Sequence, residues 1–173
     1  DPIDGTRAFG AGERTWAHSL DTAEDGRVTA ACVYLPVRGK LYLASAGGGA
    51  TLNGQALAAS TAGAIEGASV LTPRVTMQER FWKGGVPAFE RHFRPSLAYR
   101  LALVGEGRFD AMLTLRPAWE WDIAAGALIA QAAGAAVTDR RNAPLVFDSP
   151  SRQTAGVVAA SSALHPRLTE ALA

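Results

Sequence analysis

The spacing of apolar and polar positions changes partway along the chain. Up to Leu57 the apolar residues come in short runs separated by turn dipeptides. The runs Trp16–Ala23 and Arg27–Leu35 flank Asp25-Gly26, which predicts a β-hairpin. Pro36 ends the second run, and Gly39-Lys40 leads into a third strand over Leu41–Ala44. Gly47-Gly48-Gly49 is a turn, and Asn53-Gly54 joins Ala50–Leu52 to Gln55–Leu57 as a further hairpin. The first third therefore reads as antiparallel sheet.

Beyond the small and polar stretch Ser60–Gly67 the pattern alternates between strand and helix. Short strands are expected at Ser69–Leu71, Phe109–Leu115, Ala135–Thr138 and Val157–Ala160. Helices are expected at Ser96–Val104, with Leu97, Leu101 and Val104 on one face, at Trp119–Ala133 and at Leu164–Leu172, capped by Ser161 or Ser162. A further short helix is expected at Thr76–Trp82, with Thr76 and Glu79 spaced as a capping box. Together these elements predict an α/β layered sandwich. A sheet-rich lobe would occupy residues 1–60 and an α/β lobe residues 68–173.

Composition narrows the function classes. With 48% apolar residues, 19% charged residues and a net charge of +1, the chain builds a core and lacks the basic excess of a nucleic-acid polymer binder. No run is long and apolar enough to read as a membrane span. The single cysteine, Cys32, excludes an internal disulfide and suits a cytoplasmic setting; its apolar surroundings predict a buried small residue. His18, His92 and His165 lack metal-ligand spacing. Lys83-Gly84-Gly85 lacks the spacing of a phosphate-binding P-loop.

The chemistry concentrates in two short stretches. Asp1-Pro2-Ile3-Asp4-Gly5-Thr6 places two carboxylates three positions apart on a segment stiffened by Pro2. A helix starting at Gly5-Thr6 would aim free N–H groups at the same point. Trp121-Asp122-Ile123-Ala124-Ala125-Gly126 adds a third carboxylate at the start of a run of small residues. Hard oxygen ligands beside a helix start suit a divalent cation and a phosphate. On these residues alone a second reading stands: Asp1 and Asp4 as turn residues, and Asp122 as a helix N-cap. Trp119 and Trp121 read as packing residues that shape the wall of the pocket.

The two motifs, in this order, resemble the inositol monophosphatase superfamily of magnesium-dependent, lithium-sensitive phosphatases. The resemblance extends to Gly47–Gly54, Gly134-Ala135 and Val157–Leu172. It implies that Asp1 bridges two metals, that the Ile3 carbonyl binds one of them, and that Asp4 and Asp122 hold the second. Two or three Mg2+ per site are expected. Gly5 and Thr6 would contact the phosphate through their N–H groups, and the Thr6 hydroxyl would orient the attacking water, making Asp1, Asp4 and Thr6 the catalytic set. Family members carry a further acidic ligand in a Gly-Glu-Glu type motif before the Asp-Pro pair. The chain alone is therefore expected to be weak or inactive.

For the substrate, a small phosphorylated metabolite, Arg7 stands where plain inositol phosphatases more often carry other residues. Arg116 stands near a position that otherwise holds an acidic group. Arg7 looks more like the nucleotidase and histidinol-phosphatase branches, and Glu120-Trp121-Asp122 with Pro117 shortly before resembles the 3′(2′),5′-bisphosphate nucleotidase branch, where Arg116 would meet a second phosphate; inositol monophosphate comes next and histidinol phosphate after it. Ser96 and Asp122 complete the expected substrate contacts. A non-catalytic phosphate- or metal-binding relative is the competing class, and homodimers are common in the family.

Overall fold

A computed structural model describes residues 1–173. The chain opens with α1 (Thr6–Gly10) and then forms β1 (His18–Glu24), β2 (Arg27–Leu35), β3 (Lys40–Ser45), β4 (Gly49–Leu52) and β5 (Gln55–Ala56). These five make one antiparallel meander in sequence order. The expected turns close it: Asp25 and Asn53, with the glycines that follow them, take up positive φ, as tight hairpins require.

Residues 57–68 contain no helix or strand. Next come β6 (Ser69–Leu71), β7 (Glu90–His92), α2 (Leu97–Gly105), β8 (Ala111–Thr114), β9 (Ala118–Trp119), α3 (Glu120–Ala132), β10 (Ala135–Thr138), β11 (Gln153–Thr154), β12 (Val157–Ser161) and α4 (His165–Ala171). The second sheet has the order β10-β12-β8-β6-β7, with β6 parallel to both β7 and β8. β9 and β11 form a separate antiparallel ribbon.

Burial explains the layering. On the first sheet Ala31, Val33, Leu35, Tyr42 and Ala44 turn inward and are buried. The second sheet alternates with period two. Leu71, Met112, Val157 and Ala159 join the same core as the first sheet. Val70, Ala111, Leu113, Val158 and Ala160 face a smaller core closed by Leu164 and Leu168 around α4. Helices α2 and α3 share the larger core with both sheets. Each is buried nearly all round, which is why neither carries a clean polar face. The two helices pack closely at Gly126, where an added Cβ would sit 2.6 Å from the Leu101 Cβ.

Several expectations are corrected. Thr76–Trp82 is not a helix but two 3₁₀ turns, Arg74–Met77 and Glu79–Phe81, and no capping box forms. Thr76 is buried inside the first turn, and its hydroxyl has no partner. Cys32 is only half-buried: it sits on the outer face of the first sheet, in register between Leu20 and Leu43, which are 58% and 44% exposed. Strand β7 and the β9–β11 ribbon carry no clear alternation in the sequence. No helix is long and apolar enough to cross a membrane.

Candidate metal and phosphate site

The amino-terminal segment is held in place from three sides. Asp1 Oδ1 accepts from the Ile3 N–H at 2.8 Å, closing a tight turn around Pro2. The His18 ring donates to the Pro2 carbonyl. Asp4 forms an antiparallel bridge with Ala17, with N–H to carbonyl bonds of 2.8 and 3.0 Å. Gly5 then caps α1 at φ 90°, a conformation that disfavours a side chain, and an added Cβ would meet the Ser96 N and Trp16 Cα at 3.4 Å.

Asp4 is buried, 6% exposed. Its Oδ2 accepts from Ser96 Oγ at 2.6 Å and from the Ala98 N–H at 2.7 Å. Ser96 is the N-cap of α2 and accepts the Tyr99 N–H at 3.0 Å. Asp4 thus caps a helix distant in sequence rather than its own. Ser96, expected on the substrate wall, is fully buried behind Asp4 and serves it as a hydrogen-bond donor.

Asp122 lies in the first turn of α3, whose N-cap is Trp119, so the capping reading of Asp122 does not hold. An acid in that turn is favoured by the helix dipole. Ser19 of β1 donates to the Trp121 carbonyl at 3.3 Å and ties the start of α3 to the first sheet.

These elements bring Asp1, Asp4 and Asp122 together, with one carboxylate oxygen from each within 4.8 Å of the others. The starts of α1, α2 and α3 all lie at this cluster. Burial, and then the neighbouring Asp4 charge, push the Asp122 carboxyl up to about 6. Burial also raises Asp4, against the lowering effect of its Ser96 and Ala98 hydrogen bonds and of Arg100. Arg100 is itself buried, which lowers it to about 10 while Asp4 pulls it back up. No side-chain cation is ion-paired with any of the three carboxylates. Such a set, three hard oxygen donors of like charge with no ion-paired side chain, fits a divalent cation.

Thr6, Arg7 and Arg116 are exposed. Trp119 and Trp121, expected as packing residues, are 44% and 41% exposed and stack on each other at 4.8 Å and 7°. Two further acids of the neighbourhood had no structural role assigned from the sequence. Glu120 is buried and accepts from the Ser149 hydroxyl and N–H, pinning the loop 148–152 to the start of α3. Asp21 lines both the cleft beside Asp1 and the cleft beside Trp121. Both are ordinary acids in ordinary surroundings until the fold places them.

The inositol monophosphatase family matches residues 1–173. The chain is 32% identical to the chloroplastic phosphatase IMPL1 of Arabidopsis thaliana over 189 residues, covering 100% of this chain and 49% of that protein. It is 34% identical to the Nus factor SuhB of Escherichia coli K12, covering 80% of this chain and 55% of that protein. Against an inositol-1-monophosphatase of Bacillus subtilis it is 30% identical, covering 98% of this chain and 65% of that protein. The fold matches an IMPase from Thermotoga maritima with a TM-score of 0.82 at 28% identity, over 98% of this chain and 65% of that one. The chain thus spans between about half and two thirds of the length of these relatives.

Proposed function

The chain belongs to the inositol monophosphatase family, and from that premise we propose that it is the metal- and phosphate-binding part of a Mg2+-dependent phosphomonoesterase acting on a small phosphorylated metabolite. The observation that carries this reading is the convergence of Asp1, Asp4 and Asp122 within 4.8 Å. In this reading Asp1, Asp4 and Asp122, with the Ile3 carbonyl, would hold the ions. Bound there, the ions supply Lewis acidity to the phosphoryl oxygens and a lowered pKa to water.

The remaining roles belong to the chain itself. The first N–H groups of a helix have no intrahelical acceptor. Those of Gly5 and Thr6 are assigned to the phosphate oxygens, and the Thr6 hydroxyl is assigned to orient the attacking water. Ser96 and the Ala98 N–H hold one Asp4 oxygen and leave the other free for a ligand. Arg7 and Arg116, both exposed guanidinium groups, support a substrate with a second anionic group, as in a 3′(2′),5′-bisphosphate nucleotide. Inositol monophosphate is the alternative, supported by the name of the Bacillus subtilis relative.

Titration with Mn2+ by calorimetry reads the site, and phosphate release from the two substrates and from histidinol phosphate reads the selectivity. Saturable Mn2+ binding that Asp122→Asn abolishes is the expected result. Unchanged Mn2+ binding in that variant would remove the basis of the proposal.

A further inference from the structure

Beside the carboxylate cluster lies a second cleft of about 350 Å3, within the usual size range of small-ligand sites. Trp121, Phe147, Asp21, Asp148 and Arg152 are among the residues that line it. Asp21 also lines the cleft that holds Asp1, so the two are neighbours. Large exposed aromatic rings are costly, and the chain buries its other indole pair more deeply: Trp82 is 4% exposed and Trp16 is half-buried. Trp119 and Trp121 instead lie parallel and open to solvent. The backbone positions of both are fixed, Trp119 by pairing with Gln153 and Trp121 by the bond from Ser19.

The far wall is also built. Glu120 holds Ser149, and the Glu120 N–H donates to the Arg152 carbonyl at 3.0 Å. Asp148 and Arg152 both sit at positive φ, 56° and 55°. Left-handed backbone at two non-glycine residues is strained and persists only where the surroundings hold it. The strain therefore falls on the loop that faces the indoles.

We propose that this cleft receives a planar heteroaromatic ring of the substrate, stacked on Trp121, with Asp21 or Asp148 accepting from its exocyclic amino group. Adenine has this chemistry: a wide π face and an exocyclic amino donor on its edge. A cyclitol has neither a π face to stack on an indole nor an amino group to donate to a carboxylate. The placement of the ring next to a scissile phosphate rests on the phosphomonoesterase reading; the binding of the ring does not.

The test uses adenosine, which carries no phosphate, in metal-free buffer, followed by calorimetry and by the indole N–H resonances. Adenosine is expected to bind and to shift the Trp119 and Trp121 resonances but not that of Trp82. Trp121→Leu should weaken adenosine about tenfold, and Trp121→Phe, which keeps a π face, should recover most of the loss. myo-Inositol should produce no shift. The proposal is overturned if adenosine leaves both resonances in place, if Trp121→Leu binds it as tightly as the parent, or if myo-inositol shifts the same two signals equally. A chain that binds adenosine this way yet takes up no Mn2+ would refute the metal site and leave the ring site standing.

Discussion

Asp4 and Ser96 form a 2.6 Å hydrogen bond that joins the first turn of the chain to the N-terminus of α2. Through it, a local turn becomes part of a tertiary construction: the aspartate that caps α2 is also a member of the acidic cluster. Ser96→Ala removes the donor to Asp4 and the acceptor for the Tyr99 N–H together. It should cost about 1–2 kcal/mol of stability in urea unfolding and also weaken Mn2+ binding. Loss of stability with metal affinity unchanged would separate the cap from the site.

The pH dependence follows from Asp122. Its folded value, about 6, lies above the ordinary 3.8, so the folded state binds the proton more tightly than the unfolded one. Its contribution is therefore complete below the ordinary value and lost as pH rises from there through about 6. In metal-free buffer the loss should be on the order of 1–2 kcal/mol, allowing for partial exposure. Asp122→Asn should flatten this part of the stability profile, and saturating Mg2+ should restore stability above pH 6 in the parent only. Chemical unfolding at stepped pH, with and without Mg2+, measures all three.

Gly126→Ala places a methyl group 2.6 Å from the Leu101 Cβ and 3.0 Å from the Ala98 carbonyl. The small gain in helix propensity does not offset this overlap, and a net loss of about 1–3 kcal/mol is expected in thermal unfolding. Because Ala98 binds Asp4 and α3 carries Asp122, forcing the helices apart should also lower Mn2+ affinity, although Gly126 touches neither ligand.

Glu106 accepts from Lys40 Nζ at 2.9 Å and from the Tyr42 hydroxyl at 2.5 Å, joining the first sheet to the end of α2. Burial, together with this hydrogen bond, holds the Tyr42 phenol well above its ordinary range. Glu106→Ala should destabilise by about 1–3 kcal/mol in urea, because it leaves both donors without their acceptor. Tyr42→Phe, which removes one donor and keeps the ring, should cost less.

The sequence by itself determined the local features. Asp25-Gly26 and Asn53-Gly54 place the hairpins of the first sheet, since their backbone geometry needs only neighbouring residues. The small apolar run after Asp122 marks α3, and the acids of the first motif and Asp122 mark the acidic cluster through their resemblance to a family. Only the tertiary structure decided what depends on distant partners. It turned Ser96 from a surface contact into a buried donor to Asp4, moved Thr76–Trp82 out of helix, and left Trp119 and Trp121 stacked in the open. It also paired Glu120 with Ser149. The reason is range: turn chemistry and periodicity act over a few residues, whereas the partner of a buried polar group or an exposed ring is chosen by how two helices pack between two sheets.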